Sequence, residues 1–488
     1  MKNLLIVLSL LMFVSCGIKK RDFNHTPIVT VEDDFLEAEI TDSKLKQTAI
    51  AQNWWSELND ETLNSLIEDA RAHNFDINIA VANFQASRSM LKKSKLEQLP
   101  TIGANAEYLR TRLGENIFAP GLNPTYSSYN AGVDSYWEID VFGRVANQVK
   151  ATYANHLQII ADMNGVYIRI FAEVADNYLE LRGTQYLYEI ALRNLKSQEE
   201  TYDLTVQLHQ SGLGNQLDVS RALAQLEVTR ASFPSIEARM AALKNSLSVL
   251  VGRVPNDLNE VFSHQEKFPN LPESIVIGSI HEMLQRRPDI QFAEAALKER
   301  IALYNISVAD LYPKVQFGGS VGFSAVDFSN FGSKESFTWS VFPNISWAGL
   351  NLGRVKQQIH RNDALTIAAV NQYEKTVLQA LEEIKTALTN YSYELKRKEI
   401  LSNSTKASTT AATLAKQRFN AGLDSFIDYL NAERALLDTE NLLANSEIIS
   451  AKSLIAIYKA LGGGWELISE DEINQKYDYL KQVSSYDK

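Results

Sequence analysis

Two short strings hold the residues whose types and spacing could do chemistry. Residues 207–219 read QLHQSGLGNQLDV, and residues 417–429 read QRFNAGLDSFIDY. In both, a glycine (Gly212, Gly422) is followed by a leucine (Leu213, Leu423) and, six positions after the glycine, by an aspartate (Asp218, Asp428). Asn215 stands three before Asp218 and Ser425 three before Asp428, the spacing of a helix N-cap and the acid that answers it. The chemistry on offer is hydrogen bonding and charge. Such a carboxylate accepts from backbone N–H groups and faces the positive end of the helix dipole. Gly212 and Gly422 suit the positive-φ turn between antiparallel helices. An apolar leucine at an exposed turn calls for a partner.

No other string has the spacing of a catalytic or cofactor site. HExxH, P-loop and GxSxG patterns are absent, and seven histidines lie scattered without ligand spacing. No cofactor or metal is expected, and no enzymatic activity. Gly462-Gly463-Gly464 lacks the Lys-Ser/Thr of a phosphate loop and reads as a helix end. Six Met and one Cys offer no soft-ligand cluster for copper.

The one cysteine is Cys16. A short cationic start, an apolar run over 4–14 and the small residues Ser15 to Gly17 precede and surround it. A bilayer span needs about 20 apolar residues, so residues 1–15 read as a signal peptide. FVSC at 13–16 resembles a bacterial lipobox, in which Cys16 is acylated and becomes the mature N-terminus. The alternative is an ordinary cleaved signal with an incidental thiol; a sole cysteine at the cleavage position favours acylation. Residues 16–51, polar and mixed, read as a lipid-anchored tether.

The 488 residues carry a net charge of −11 and no basic stripe, which argues against nucleic acid as a partner. Ala, Leu, Glu, Gln and Lys dominate long stretches, the composition of helices.

The same design is written twice in the chain at an offset of about 210 residues. Gly143-Arg144 matches Gly353-Arg354, Leu250-Val251-Gly252 matches Ala460-Leu461-Gly462, and Leu99-Pro100 answers Tyr312-Pro313 with a slip of about three. So long a period is a duplicated half rather than a solenoid unit of roughly 20–50 residues. The repeats are set at 52–252 and 288–465, with a connection over 253–287 and a tail over 466–488.

Within each repeat the hydrophobic period switches. Residues 53–98 are helical, with Leu63, Leu66, Ile67 and Ala70 on one stripe, until Pro100. Period-two alternation follows in 101–108 and 128–140, around a Gly/Pro loop at 113–125. Tyr129, Ala131, Val133, Trp137 and Ile139 oppose Asn130, Gly132, Asp134, Glu138 and Asp140. The second repeat does the same, Val315, Phe317, Val321 and Phe323 opposing Gln316 and Ser320, with Phe337, Trp339 and Val341 after a loop at 326–334. The expected β-hairpins therefore cover 101–140 and 314–347. Apolar-out, polar-in alternation over about ten residues suits a transmembrane barrel, and it suits the face of a soluble sandwich equally.

The helices decide between them. After Gly143 and Gly353 the chain reads helical for about 68 residues, roughly 100 Å of rod at 1.5 Å per residue. Ile367, Val370, Glu374, Val377, Leu381, Ile384, Leu388 and Tyr391 trace a heptad seam. Return helices run from near Asn215 to Val251 and from near Ser425 to Leu461, with tips near 212 and 422. Four strands cannot close a barrel, and an open edge in lipid leaves backbone groups unsatisfied. Membrane insertion thus requires oligomerisation, and three copies would supply twelve strands.

Four further strings become specific in this setting. They are Trp54-Trp55 with Leu63, Asn74 and Asp76; WEIDVFGR at 137–144; LQRRPDI at 284–290; and YKALGGGW at 458–465. In this order, with the duplication, the chain closely resembles the TolC-like outer-membrane factors, in their OprM/NodT-type lipoprotein branch, over nearly the whole mature length. The resemblance implies a mainly α fold with a transmembrane β-barrel: a homotrimer whose 12-stranded barrel continues into a periplasmic α-helical coiled-coil barrel. It implies a passive outer-membrane exit duct for small molecules, extending into the periplasm, lipid-anchored, docking a periplasmic adaptor (membrane fusion) protein that connects to an inner-membrane efflux pump.

In that family the duct closes at the helical-hairpin tips, where acids follow the tip glycine. The resemblance thus makes Asp424, Asp428 and Asp218 gate candidates, with the second copy favoured, and Gly212, Leu213, Gly422 and Leu423 adaptor contacts. A second gate aspartate of the family falls on Asn431, and its bracing tyrosine and arginine fall on Phe419 and Asp424. Arg418 or Arg434 would then hold Asp424. Clustered acids around one axis would raise one another's pKa values and attract cations. Helix capping alone accounts for Asp428 and Asp218 equally well. Arg286-Arg287-Pro288-Asp289 reads as a structural helix start, with Pro288 at its first position or just before it and Asp289 in the first turn. Rival functions are an exit duct for secreted polypeptides, as in type I secretion, and a lipid-anchored coiled-coil scaffold without a pore.

Overall fold

The computed structural model describes residues 19–22, 45–47, 53–114, 124–262, 268–269, 271–272, 275–277, 279–466 and 468–483. Cys16, the signal segment and most of the tether lie outside the described residues, as does the 115–123 part of the first loop. The chain folds as two compact units, one built of 1–27, 84–160 and 292–374 and the other of 28–83, 161–291 and 375–488. Each takes segments from both sequence repeats, so the repeats are not the compact units.

The first unit centres on one four-stranded antiparallel sheet. Strands β2 (Thr101–Arg112), β3 (Thr125–Ile139), β5 (Lys314–Ala325) and β6 (Phe337–Ser346) lie in the order β2-β3-β5-β6. Ala104, Val133, Val321 and Trp339 form one cross-strand row. Because side chains alternate, that face also carries Ile102, Tyr108, Phe317, Phe323, Phe337 and Ile345, all exposed. The opposite face is polar. On it Ser324 donates to Asn130 at 2.7 Å, Ser320 and Ser340 hydroxyls meet at 2.7 Å, and Asn344 donates to Gln316 at 3.1 Å. β2 outruns its alternating pattern, since pairing continues through Thr111 with Tyr126 where the side chains are no longer segregated.

Both hairpins are anchored at the foot in the same way. The Trp137 indole donates to Gln98 O and the Trp347 indole to Leu311 O, each at 2.9 Å. The two tryptophans stand 210 positions apart, so the duplication persists in hydrogen bonds. Helix α3 (Arg144–Gln210) starts under β3, where Asp140 accepts from the N–H groups of Val145 and Ala146 and Arg144 forks onto Glu138 at 2.7 Å. Part of the segment read as a tether is held against the first unit's helices. The Arg21 backbone N–H and C=O both pair with the Asn305 side chain at 2.8 Å, and its guanidinium lies 2.5 Å from Asp363 and over the Tyr304 ring.

The second unit is helical, apart from a two-strand parallel pairing of β1 (Leu45–Gln47) with β4 (Ile275–Ile277) that the alternation does not announce. The helix expected over 53–98 is three elements: a 3₁₀ turn at Trp54–Leu58, α1 (Glu61–His73) and α2 (Phe75–Leu96), which continues into the first unit. Asn74 makes the break. Its carbonyl oxygen accepts from the N–H groups of Asp76 and Ile77, and its amide donates to Leu250 O at 2.8 Å. The stripe of Leu63, Leu66, Ile67 and Ala70 is buried as read.

Helices α3 and α7 (Leu352–Asn420) run for 67 and 69 residues from the first unit into the second, and α4 (Gln216–Leu250) and α8 (Phe426–Ala460) return for 35 each. The seam on α7 is buried at Val377, Leu381, Ile384, Leu388 and Tyr391. At its head Ile367 is exposed and Thr366 is buried instead.

The distant specific strings prove to be one another's partners. Trp54 stacks on Tyr458 at 4.9 Å, and Trp55 meets Phe171 edge-on at 5.1 Å. The Tyr458 hydroxyl donates to Glu57 at 2.6 Å, and burial, then that carboxylate, push its pKa up. After the short helix α5 (Ile280–Arg286), α6 (Pro288–Ala309) begins at Pro288 as read. Buried Arg287 donates to Ala460 O at 2.6 Å, to Asp289 at 2.7 Å and to Glu383 at 2.6 Å, while Arg286 pairs with Glu466. The tail contains α9 (Glu470–Val483), whose Lys476 donates to the last-turn carbonyls of Arg71 and Ala72 in α1. Burial, then nearby Arg71, push that amine down to about 8.

Candidate functional site

Both helical-hairpin turns are built by the same backbone device. Gly212 has φ 77° and Gly422 φ 72°, a region closed to most side chains. Leu213 N–H donates to Leu208 O and Gly212 N–H to His209 O, at 2.9 and 3.0 Å. Leu423 N–H donates to Arg418 O and Gly422 N–H to Phe419 O, both at 2.9 Å. These are Schellman turns, which often add an apolar contact across the same gap. At the second tip the residue opposite Leu423 is Arg418, so that contact has no apolar partner. Leu213 is 80% exposed and Leu423 68%.

The acids fall in different surroundings. Asn215 caps α4, accepting from Asp218 N–H at 2.9 Å and donating its amide to the Asp218 carboxylate at 2.8 Å; Arg221 lies 3.5 Å away. Ser425 and Asp428 form a full capping box on α8, with Ser425 N–H donating to the Asp428 carboxylate at 3.3 Å and Ser425 Oγ donating to it at 2.5 Å. Asp424 belongs to neither cap. Arg418 grips both its oxygens, Nε at 2.6 Å and Nη2 at 2.8 Å. Arg434, the other bracing candidate, instead donates to Gln225 at 2.7 Å. Within one chain the Asp424 carboxyl is therefore held below the usual aspartate range by its hydrogen bonds to Arg418. That is opposite to the rise expected of clustered acids.

Beneath the second tip lies a cluster absent from the sequence reading. Phe419 stacks on Tyr429 at 5.8 Å and tilts against Phe426 at 5.6 Å, over buried Ala222 and Leu430. Ala222 comes from the first hairpin, so the two hairpins share this core. The Tyr429 hydroxyl meets Thr201 Oγ1 at 3.0 Å, and Ser197 donates to Glu433 at 3.0 Å. Glu433 is buried, which pushes its carboxyl up. The available signal was the spacing of Phe426, Tyr429 and Leu430 at i, i+3 and i+4.

A model of the outer membrane efflux protein family matches residues 66–253 and again 279–463. The chain belongs to the outer membrane efflux protein family. It is 28% identical over 421 residues to the probable efflux pump outer membrane protein TtgC of Pseudomonas putida, covering 86% of each chain. To outer membrane protein OprJ of Pseudomonas aeruginosa it is 27% identical over 416 residues, covering 85% of this chain and 86% of that one. Among solved structures, the outer-membrane channel OprN superposes with a TM-score of 0.85 at 33% identity, over 93% of this chain and 100% of that one.

This efflux protein is thus the outer-membrane component of an efflux system, with the TolC-like fold the resemblance implied. No described helix is long and apolar enough to cross a membrane. The exposed apolar face of the sheet is the surface suited to lipid.

Proposed function

We propose that this efflux protein is the passive exit duct of a tripartite efflux system. Three copies join their four-stranded sheets, β6 of one to β2 of the next, into a 12-stranded barrel in the outer membrane. The long hairpins extend into the periplasm, where Gly212-Leu213 and Gly422-Leu423 receive an adaptor linked to an inner-membrane pump. Asp424 and Asp428, with Asp218 around them, line the mouth of the resting duct. Acylated Cys16 adds a lipid anchor. The pump supplies the energy, and the duct does no covalent chemistry.

The observation that carries this reading is the sheet itself. Its edge strands β2 and β6 have partners on one side only, and one face is apolar from Ile102 to Ile345. In hydrocarbon those open edges are permitted only when paired between copies. The cargo class follows from relatives: one carries the name antibiotic efflux pump outer membrane protein, another toluene efflux pump outer membrane protein. Small apolar or amphiphilic compounds are therefore the expected cargo.

The test is reconstitution of purified full-length protein into planar bilayers, with cross-linking to count copies. Discrete conductance steps from a cross-linked trimer are expected, and Leu213→Glu with Leu423→Glu should abolish drug resistance in cells while leaving conductance intact. A monomer that opens no channel would overturn the reading in favour of a scaffold.

A further inference from the structure

On the polar face of the sheet, three rows near its foot make a shaped surface, the lowest running Glu138, Gln316, Asn344. In the middle row Tyr136 pairs with Gly318 and Gly318 with Phe342. The Phe342 ring leans over the glycine. A Cβ on Gly318 would lie 2.2 Å from Phe342 Cε2, so only glycine lets the ring lie there. Gly318 is buried beneath it, while Tyr136 and Phe342 remain 45% and 50% exposed. With adjacent strands about 4.8 Å apart, the Tyr136 and Phe342 backbones stand roughly 10 Å apart, and the Phe342 ring spans part of that gap by covering the glycine between them. Around them the face carries Gly, Ser, Thr, Asn and Gln, with the charged Glu107, Asp134, Glu138 and Lys314, and Leu109 and Tyr126 farther from the foot.

The row above supplies charge. It runs Asp134, Ser320, Ser340, with Asp134 two residues from Tyr136 and therefore on the same face. Asn105 reaches Asp134 at 3.4 Å, and no ion pair to it is seen among the described residues. On the same face Glu138 is matched by Arg144, and Lys314 by Asp310 at 3.1 Å. The Asp134 carboxylate leans over Gly103, and one carboxylate with two half-exposed aromatic rings on the same face suits one ligand class, a lipophilic organic cation large enough to reach across the strands. The ring quadrupoles attract the cation and its apolar groups, and the carboxylate sets its sign.

We propose that Tyr136, Phe342 and Asp134 form a contact site for lipophilic organic cations in transit, a selectivity step within the duct distinct from the tip acids. The inference rests on the duct reading, which makes this polar face the wall of the lumen. Gly318 is the positioning residue that lets Phe342 lean across the wall.

The experiment reads block of single channels of the reconstituted full-length protein by tetraphenylphosphonium, with tetraphenylborate as the anion of the same shape. Wild type should be blocked by the cation and hardly by the anion. Phe342→Leu, which keeps apolar bulk but removes the π-face, and Asp134→Asn should each weaken block by roughly tenfold, the scale of a partly desolvated cation–π contact. Open-channel conductance should stay near the wild-type value in both, which reports an intact barrel. Asp424→Ala should leave this block in place. Equal block in wild type, Phe342→Leu and Asp134→Asn would overturn the site while leaving the duct standing. A protein that opens no channel would remove the duct reading, and the site with it.

Discussion

Arg418 and Asp424 close on each other across the tip of the second hairpin, two parallel N–H···O contacts joining the last turn of α7 to the residue before the α8 cap. The pair has no counterpart at the first tip, where Leu208 and Gly214 occupy the matching positions. If this clasp holds the mouth of the duct, Arg418→Ala or Asp424→Ala should raise resting conductance severalfold. Thermal stability should hardly move, because the pair lies at the surface with Arg418 exposed, and such pairs contribute little. The clasp should also report pH with a defined sign. A depressed carboxyl keeps its pair above the ordinary aspartate range and loses it only as pH falls through the lowered value. Conductance should be flat from neutrality to mild acid and climb below about pH 3.9. A rise centred near pH 6 would exclude Asp424 as the titrating group.

Asp428 can be separated from its capping role by choice of substitution. Ser425→Ala removes the N-cap oxygen of α8 and should cost about 1 kcal/mol in denaturant unfolding, without changing ion selectivity. Asp428→Asn keeps an acceptor in place and deletes the charge. A charge-based gate predicts weaker cation selectivity for Asp428→Asn at near wild-type stability. Selectivity equal to wild type in that variant would leave Asp428 as a cap alone.

Glu433 gives a pH effect of the opposite sign. Burial raises its carboxyl, with Ser197, Lys416 and Tyr429 acting against that rise. A raised acid binds its proton more tightly folded than unfolded, so its contribution is full below the ordinary glutamate pKa and is lost as pH climbs through the raised value. Glu433→Gln keeps an oxygen for Ser197 and removes the charge. Its melting temperature should exceed that of wild type at pH 8 and match it at pH 4. A variant less stable than wild type at pH 8 would show that the carboxylate is held charged.

Arg287 is a costly polar residue to remove. Its guanidinium is buried against Ala460 O, Asp289 and Glu383, and it joins the RRPD string to the end of α8. Arg287→Ala should cost about 2–3 kcal/mol. That is less than a fully buried pair, because both carboxylates are half exposed and can rehydrate. Arg287→Lys should recover only part of the loss, since one ammonium cannot fork to all three acceptors. Denaturant midpoints of the detergent-solubilised protein check both.

Long-period features were legible in the chain because each residue in them repeats the same message. Helices of 67 and 69 residues, four strands and both tip glycines follow from periodicity and the offset of 210. Single polar residues in non-local roles were not legible. Asn74 breaks a helix that its stripe would continue, because its side chain can satisfy two N–H groups and a distant carbonyl at once. Arg418 and Arg434 were equivalent candidates for Asp424, since spacing along two antiparallel helices does not say which side chain crosses the turn.

The sequence by itself determined the alternation of strands and rods, the duplication and the Gly-Leu tips, all of which local geometry dictates within a few residues of backbone. Only the tertiary structure decided which strings meet. Trp54 and Tyr458 lie about 400 residues apart in the chain and 4.9 Å apart in space, and Arg287 with Ala460 is a second such pair. Contacts of that range depend on how long helices are phased against one another, a rotation that accumulates over many turns and that no local window encodes. The same phasing turned Arg434 toward Gln225 and left Arg418 to hold Asp424.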